Sequence, residues 1–365
     1  MITSTIIKGF GPVRDFQWNG TGRINLVIGP NKSGKTYLLK ALYSAVKTVE
    51  TYKRGKEVRR DAEILFDKLY WTYQPDQLGK LVSTGSKAVE FAMSMEGNQD
   101  FAYSFGPSAN KQVTVTKNTC QPRPQNSIFL PAKEIISLQQ IIIRVRDDYK
   151  EFGFDDTYYD LAKALTPSVK GRNYKEFSVS RMALESAIGG HIEYDLERKE
   201  WVFREGKQTI SIAMASEGVK KLSILDALLG NHYLSKGSII FIDEPECALH
   251  PKLVSQLMDI IAELTKAGLQ FFIASHSYFV IKKLYLLAHQ KNLSIPVVSF
   301  DENGGWRTSD LRKEIGDVCW MIAEICTAHG WSMDEICAEN IEKLKARYPD
   351  GFSEERSLHR EEYKK

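Results

Sequence analysis

Two short segments of this 365-residue chain carry residues whose types and spacing could bind and cleave a nucleoside triphosphate. The first segment follows the apolar run 24–28 and consists of Gly29, Pro30, Asn31, Lys32, Ser33, Gly34, Lys35 and Thr36. Its glycines let the backbone wrap phosphate oxygens where a side chain would block the approach or resist a positive φ. Lys35 would bring a cation to the outer phosphates, and the Thr36 hydroxyl would bind a magnesium ion. The pattern therefore predicts a phosphate-binding loop, residues 29–36, whose following helix points its N-terminus at the anion.

The second segment places two carboxylates at the end of an apolar strand. Residues 239–242 are Ile, Ile, Phe and Ile, and Asp243 and Glu244 follow them directly. Because α/β sheets bind ligands at the carboxyl ends of their strands, we expect Asp243 to hold Mg²⁺ directly or through water. Glu244 lies one residue further on, where it could act as the base that polarises an attacking water molecule. Together the two segments predict binding and hydrolysis of a nucleoside triphosphate.

Two further segments could contact the same nucleotide. Ser216, Glu217 and Gly218 begin a helix, where a capping hydroxyl and backbone N–H groups can meet an anion. His276 follows the apolar strand 271–274 and could sense the terminal phosphate, although an isolated histidine at a strand end is more often structural. Each segment is weak evidence alone. They become candidates because one lies just before the strand that ends at Asp243 and the other lies at the end of the next strand.

The elements around these motifs are predicted to form a covered, mostly parallel sheet, because apolar strands alternate with helices along the chain. Helical spacing of apolar residues and turn signals define the elements. We predict strands near residues 4–8, 23–28, 88–95, 126–131, 192–194, 201–204, 238–242 and 269–274, and helices near 37–51, 219–230 and 252–266, with one more helix before the hairpin at 192–204.

Composition and charge indicate an ordinary soluble globular protein. The chain is 43% hydrophobic and 26% charged, and its net charge of +3 is too small to predict nucleic-acid binding by itself. Its five cysteines are an odd number without a Cys-x-x-Cys pair, which indicates reduced thiols rather than disulfides. We see neither an apolar run of membrane-spanning length nor a leader segment. A cytoplasmic protein without a membrane partner is therefore expected.

The order and spacing of the four segments resemble the ABC-type ATPase heads of the RecF, SMC and OLD group. In that resemblance residues 29–36 are the Walker A loop and residues 216–218 the signature. Asp243 and Glu244 are the Walker B pair, and His276 is the switch histidine. The resemblance implies catalytic roles for Glu244, His276 and Lys35.

The string 243–251 is similar to the Asp-Glu-Pro-Glu-x-x-Leu-His-Pro of the OLD-like branch, which includes Septu-type and retron-associated antiviral ATPases. Two features depart from the group. Lys32 replaces the usual small residue of the phosphate loop, and the place of the glutamine loop is taken by residues 129–134.

The resemblance implies a fold of the α/β class: a P-loop NTPase, specifically an ABC-type ATPase head with a mixed, mostly parallel sheet and a helical lobe. The head would span residues 1–310, with an inserted α/β and helical lobe at about 52–210. ATP and Mg²⁺ are the implied cofactors. The implied working unit is a homodimer that sandwiches two ATP molecules. In it the signature of one chain closes over the nucleotide of the other, so Ser216 and Lys35 of one chain should lie far apart.

The C-terminal segment 311–365 is predicted to be α-helical and is similar to the back half of MazG-type nucleotide pyrophosphohydrolases. Glu314 and Asp317 match the Glu-x-x-Asp part of that motif, but the upstream Glu-Glu-x-x-Glu helix is missing. Two carboxylates bind a metal poorly, so we expect a docking or assembly role rather than an independent activity. Three further residues could contact a nucleotide: Asn340, Lys343 and Arg347.

The resemblance to the RecF, SMC and OLD group implies a nucleotide-gated dimeric sensor that controls a separate effector protein, a nuclease or toxin, in antiviral defence. Nucleic-acid binding stays open, because basic residues cluster at 52–60 and at Arg144, Arg146 and Lys150. The alternative is a RecF-like DNA-repair ATPase. An OLD-type nuclease would need a Toprim domain after His276, and a transporter subunit does not fit the string 243–251.

Overall fold

The computed structural model describes residues 1–166, 177–198, 200–302 and 304–311, with the short stretches 330–332, 334–336, 338–339 and 341–342. The chain divides into two compact units, Met1–Leu311 and Arg312–Lys365. The C-terminal residues singled out above (Glu314, Asp317, Asn340, Lys343 and Arg347) lie outside the described residues. The fold and the candidate site are therefore those of the first unit.

The helices and strands of the first unit are as follows, within its described residues. The helices are α1 (Lys35–Thr51), α2 (Asp61–Tyr73), α3 (Gln139–Arg144), α4 (Asp156–Ala164), α5 (Ser178–Ile188), α6 (Glu217–Gly230), α7 (Pro251–Lys266) and α8 (Tyr278–Gln290). The strands are β1 (Ile2–Phe10), β2 (Val13–Asn19), β3 (Ile24–Ile28), β4 (Val89–Met95), β5 (Gln99–Phe105), β6 (Thr114–Asn118), β7 (Ile128–Leu130), β8 (His191–Asp195), β9 (Glu200–Glu205), β10 (Gln208–Ser211), β11 (Ile239–Asp243), β12 (Gln270–Ala274), β13 (Pro296–Phe300) and β14 (Trp306–Asp310). None of these helices is both long enough and apolar enough to span a bilayer.

The central sheet has six strands in the order β14-β13-β3-β12-β11-β7. All neighbouring pairs are parallel except β13 and β14, which run antiparallel. Strands β11 and β12 are buried along their whole length, which explains why their sequences are continuous apolar runs rather than alternating ones. The predicted α/β fold with a mixed, mostly parallel sheet is confirmed.

Two hydrophobic clusters cover the two faces of this sheet. Successive residues of a strand point to opposite faces, so Phe271 belongs to one cluster and Phe272 to the other. On the second face the rings of Phe129, Phe241 and Phe272 stack across three neighbouring strands, with interplanar angles of 12° and 18°. This packing holds the carboxyl ends of β7, β11 and β12 side by side, and the candidate site lies at these ends.

A second, antiparallel sheet has the order β2-β1-β4-β5-β6. The sequence predicted strands near residues 4–8 and 23–28, and the structure adds β2 between them. Strand β2 buries Val13, Phe16 and Trp18 and exposes all the residues between them. This alternation is typical of a strand with one solvated face.

The stretch 52–210, expected as an inserted lobe, is distributed over several parts of the first unit. Strands β4, β5 and β6 extend the sheet of β1 and β2, and β7 joins the central sheet. Strands β8, β9 and β10 form a third, antiparallel sheet of their own. The reason is strand pairing: β4 binds to β1 along most of its length, which ties this stretch to the N-terminal residues.

Candidate nucleotide-binding site

The phosphate loop, residues 29–36, joins the buried strand β3 to helix α1. Three of its residues have positive φ angles: Gly29 at +148°, Lys32 at +67° and Gly34 at +106°. A Cβ atom on Gly29 would lie 2.8 Å from a backbone carbonyl oxygen, so the loop has no space for a side chain there. Lys35 is buried, and its Nζ donates hydrogen bonds of 2.8 Å to the carbonyl oxygens of Gly29 and Pro30. The ammonium group thus lies inside the loop, within reach of a bound phosphate.

Thr36 and Asp243 meet although 207 positions separate them in the chain. The Thr36 hydroxyl donates to Oδ2 of Asp243 at 2.8 Å and lies 3.1 Å from Oδ1. Burial raises the pKa of Asp243, and the hydrogen bond from Thr36 opposes this shift. Hydroxyl and carboxylate oxygens are the donors that Mg²⁺ prefers. The pair therefore fits the metal role predicted for both residues.

No group of three or more His, Cys, Asp or Glu side chains within the described residues could hold a metal ion. A magnesium ion at Thr36 and Asp243 would complete its shell with phosphate oxygens and water, as is usual for this ion.

Glu244 adopts a left-handed conformation, with φ at +48°, directly after β11. Its N–H donates to the carbonyl oxygen of Ala274 at 2.8 Å, so the backbone of this residue stays attached to β12. Its Oε1 lies 3.3 Å from Nδ1 of His276, and its Oε2 accepts from the thiol of Cys247 at 3.2 Å. The structure thus brings together the two side chains predicted to act as base and switch histidine.

Glu246 supports the histidine loop, a contact for which the sequence offered no signal. Its Oε1 accepts from the hydroxyl of Ser275 at 2.8 Å and from the N–H of His276 at 3.4 Å. The imidazole Nδ1 of His276 lies 3.6 Å from the same oxygen. One carboxylate therefore positions both the backbone and the ring of His276.

A cavity of about 490 Å³ opens over the phosphate loop. Its volume lies in the range of small-molecule sites. The lining residues are Pro12, Asn31, Lys32, Ser33, Gly34, Lys35, Thr36, Tyr37, Lys40, Thr72, Tyr73, Gln74, Asp155 and Glu244. The candidate base and the phosphate loop thus share one cavity, and the signature segment 216–218 does not contribute to its lining.

The signature segment lies at a second cavity of about 430 Å³. Glu217 and Glu244 both line it, together with Lys221 and Cys247. Ser216 caps helix α6, its hydroxyl accepting from the backbone N–H of Val219 at 3.4 Å. Glu217 of the signature segment therefore lies beside residues 244–248 of its own chain, here called the Glu244 turn.

Asp155, in the loop before α4, is a residue of the cavity that the sequence motifs missed. Its Oδ2 accepts from Nζ of Lys40 on α1 at 2.6 Å, and its Oδ1 accepts from the N–H of Thr157 at 2.8 Å as the N-cap of α4. A helix cap is visible in a sequence, but a partner 115 positions away is not.

The segment 129–134, which was predicted to occupy the place of a glutamine loop, lies next to the Glu244 turn. Strand β7 pairs with β11 in parallel, so the residues after both strands leave the same edge of the sheet. Glu134 lies 3.7 Å from Nζ of Lys220 and accepts a hydrogen bond from the Ser137 hydroxyl. The carboxylate is thus engaged with protein groups.

The two basic clusters are partly engaged within the chain. Arg59 forms ion pairs with Glu57 at 2.8 Å and Asp67 at 2.7 Å. Arg146 lies 3.2 Å from the centroid of the Trp71 ring and pairs with a buried aspartate. Arg146 was therefore wrong as a candidate for an exposed basic surface, because its charge is used inside the fold.

The buried parallel sheet, the phosphate loop and the Thr36–Asp243 contact define a P-loop ATPase of the ABC/SMC type. The chain belongs to the family described as "AAA domain, putative AbiEii toxin, Type IV TA system", whose model matches residues 75–282. The match begins after the phosphate loop and includes the signature segment, Asp243, Glu244 and His276.

A second family model, the MazG nucleotide pyrophosphohydrolase domain, matches residues 301–352. The predicted resemblance of the C-terminal segment to this family is thereby supported. The match starts within the first unit, because it includes strand β14 at the edge of the central sheet.

Two solved structures show the same fold. One is an SMC head bound to the C-terminal winged-helix domain of ScpA, with a TM-score of 0.52 and 14% identity over 86% of this chain and 99% of that one. The other is an SMC head with an extended coiled coil, bound to the C-terminal domain of ScpA from Pyrococcus furiosus. Its TM-score is 0.51 and its identity 12%, over 89% of this chain and 99% of that one. A search of curated proteins found no match.

Proposed function

We propose that this protein binds ATP with Mg²⁺ over the phosphate loop and hydrolyses it with Glu244 as the general base. The observation that carries this proposal is the contact between Thr36 and Asp243, with Glu244 on the same cavity as the loop. In P-loop NTPases the magnesium ion of the bound triphosphate is held by a hydroxyl and a carboxylate side chain. Thr36 and Asp243 supply these two groups at one place, although they are distant in the chain.

In the proposed reaction, a water molecule attacks the terminal phosphorus and gives up a proton to Glu244. The bond from that phosphorus to the bridging oxygen breaks, and the products are ADP and inorganic phosphate. Lys35 exchanges its carbonyl partners for phosphate oxygens and offsets their negative charge. His276 holds the Glu244 carboxylate through the 3.3 Å contact. Magnesium, when bound by Thr36 and Asp243, would neutralise charge on the outer phosphates.

Glu244→Gln tests the role of the base. The amide keeps the size of the side chain but cannot accept the proton, so ATP should bind with similar affinity while phosphate release falls by at least about 100-fold. Glu263→Gln is the matched control, because that carboxylate lies on α7 and forms ion pairs with Lys266 and Lys291 instead. Binding is measured by calorimetry and turnover by phosphate release. Hydrolysis by Glu244→Gln at the parent rate would refute the assignment.

We infer a two-fold dimer in which each signature segment completes the partner's ATP site. This is supported by the cavity over the phosphate loop, which residues 216–218 of the same chain do not line. Lys35→Ala and Ser216→Arg should each be inactive alone. Mixing them should restore activity, up to about a quarter of the parent rate if chains pair at random, since half of the dimers then contain one intact composite site. If the mixture stays inactive while both variants dimerise, the composite site is wrong.

We propose that the ATP-bound dimer controls a separate effector, a nuclease or toxin, in antiviral defence. The family description names a putative toxin and a type IV toxin–antitoxin system, which supports a role in a system of this kind. The SMC heads of similar fold carry a bound ScpA domain, which supports a protein partner. The string 243–251 resembles that of the OLD-like branch, which includes antiviral ATPases, and so favours a role in defence.

Affinity capture from native cells tests this proposal. Glu244→Gln should hold the ATP-bound form and retain the effector, whereas Lys35→Ala should not. An effector retained equally by both variants, or by neither, would contradict nucleotide-gated control.

A RecF-like role on DNA is the second candidate. It is supported by the SMC-like fold and by exposed cations at Lys53, Lys56 and Arg60. DNA bound only with ATP, with an affinity that falls steeply as salt rises, would favour this role over the effector proposal.

A further inference from the structure

Lys221 on helix α6 has contacts that neither the motifs nor the proposed reaction uses. Its half-buried side chain reaches the Glu244 turn, residues 244–248. Its Nζ donates to the carbonyl oxygens of Glu244 at 2.8 Å, Ala132 at 3.1 Å and Cys247 at 3.3 Å. An ammonium group has three donors, so these contacts engage every one of them.

These three carbonyl groups belong to two different segments. Two lie in the Glu244 turn, and the third lies in the segment after β7. The cation itself lies on the helix that the signature segment begins, about 7.5 Å along the helix axis from the capping serine at its 1.5 Å rise per residue. One side chain thus ties the signature helix to the turn that carries the candidate base.

The turn needs such a tie because its backbone is strained. Glu244 and Ala248 have φ angles of +48° and +63°, and neither is a glycine. Conformations of this kind persist only where surrounding contacts enforce them. The carbonyl oxygen of Glu244 accepts from both the Cys247 N–H, at 3.1 Å, and Lys221, at 2.8 Å. Removing the cation would leave that peptide free to relax and to turn the carboxylate away.

We propose that Lys221 is a positioning residue that couples the signature helix to the catalytic carboxylate. The inference rests on the proposed ATPase function and extends it to regulation. When the signature segment meets the nucleotide of a second copy of this chain, any displacement of α6 is carried by Lys221 to the carbonyl of Glu244. Hydrolysis then depends on the partner chain, because the position of α6 sets the position of the Glu244 carbonyl through the 2.8 Å contact.

Lys221→Met tests the coupling, since methionine has a similar length but no donor. The affinity for MgATP and the ATP-driven dimer should stay within about 3-fold of the parent. The kcat should fall by about 100-fold, as expected for a misplaced catalytic group. Lys221→Arg should recover part of the rate, because it restores donors at the same place. Lys221→Gln, with one neutral donor group, serves as the second variant if Lys221→Met does not fold.

Arg181→Met is the matched structural control. It breaks the 2.8 Å ion pair between Arg181 on α5 and Asp226 on α6. Asp226 lies on the same helix as Lys221 but away from the Glu244 turn. The substitution should lower the melting temperature and leave the kcat of the folded protein unchanged. If the role of Lys221 were merely structural, Lys221→Met would behave like Arg181→Met, with a lower melting temperature and an unchanged kcat.

A double-mutant cycle completes the test. If Lys221 acts through Glu244, then Lys221→Met should lower the residual rate of Glu244→Gln by less than about 3-fold. A parent-like kcat in Lys221→Met, or a full additional loss in the Glu244→Gln background, would overturn the proposal. A parent protein that neither binds nor hydrolyses ATP would instead refute the proposed function, so the two failures are distinguishable.

Discussion

Lys32 is expected to strain the phosphate loop, so replacing it with glycine should stabilise the protein. Its φ of +67° lies in the left-handed region, where a Cβ atom costs about 1–2 kcal/mol. Glycine removes that cost but is more flexible in the unfolded chain, which offsets about 0.4–1 kcal/mol. The net gain is about 0.5–1 kcal/mol, or a rise of about 1–1.5 °C in Tm for a unit of this size.

The same substitution should weaken ATP binding. The Lys32 side chain is exposed and lines the cavity over the phosphate loop, where its charge can pair with phosphate oxygens. An exposed ion pair contributes about 0.2–1 kcal/mol, so the Kd for ATP should rise by up to about 5-fold. Stability and affinity therefore change in opposite directions.

Lys32→Ala separates the two effects, because it removes the charge and keeps the Cβ atom. We expect no rise in Tm for Lys32→Ala, and the same loss of affinity as for Lys32→Gly. Differential scanning calorimetry and ATP titration measure both quantities. Equal melting temperatures for the two variants would refute the strain argument, and unchanged affinity in both would refute the phosphate contact.

Two further predictions concern the walls of the cavity. Asp155→Ala should lower the free energy of unfolding, measured by urea denaturation, by about 2–4 kcal/mol, because it removes both a helix cap and the ion pair with Lys40. Asp155→Asn keeps the cap and should cost about 1 kcal/mol less. Equal losses for the two variants would exclude the cap contribution. Gly29→Ala should abolish ATP binding, since its Cβ would clash with backbone. Gly20→Ala is the control: its φ is also positive, at +70°, but the space around it is open, so it tests the strained backbone without the clash. This variant should bind ATP normally.

Much of the fold could be predicted from local patterns. The apolar runs of β3, β11 and β12 and the helical spacing of α1, α6 and α7 were recognisable because each pattern is contained within a few consecutive residues. Strands β2, β5 and β6 were missed, because β2 and β5 bury only alternate residues and β6 buries none, so that their short patterns resemble those of polar loops. The pairing of β4 with β1, of β5 with β4 and of β6 with β5 determines where this part of the stretch 52–210 lies.

The sequence by itself determined which residues are candidates for the site: the loop 29–36 for phosphate, Asp243 for magnesium and Glu244 as a base. These predictions follow from residue type, spacing and strand context, whereas the role of His276 as a switch came from the resemblance to ABC-type heads. Only the tertiary structure decided which side chains meet them, such as Lys221 at the Glu244 turn and Asp155 at Lys40. The physical reason is that such contacts join distant segments through single hydrogen bonds and ion pairs, whose partners are chosen by the packing of the sheet and helices and leave no periodic trace in the chain.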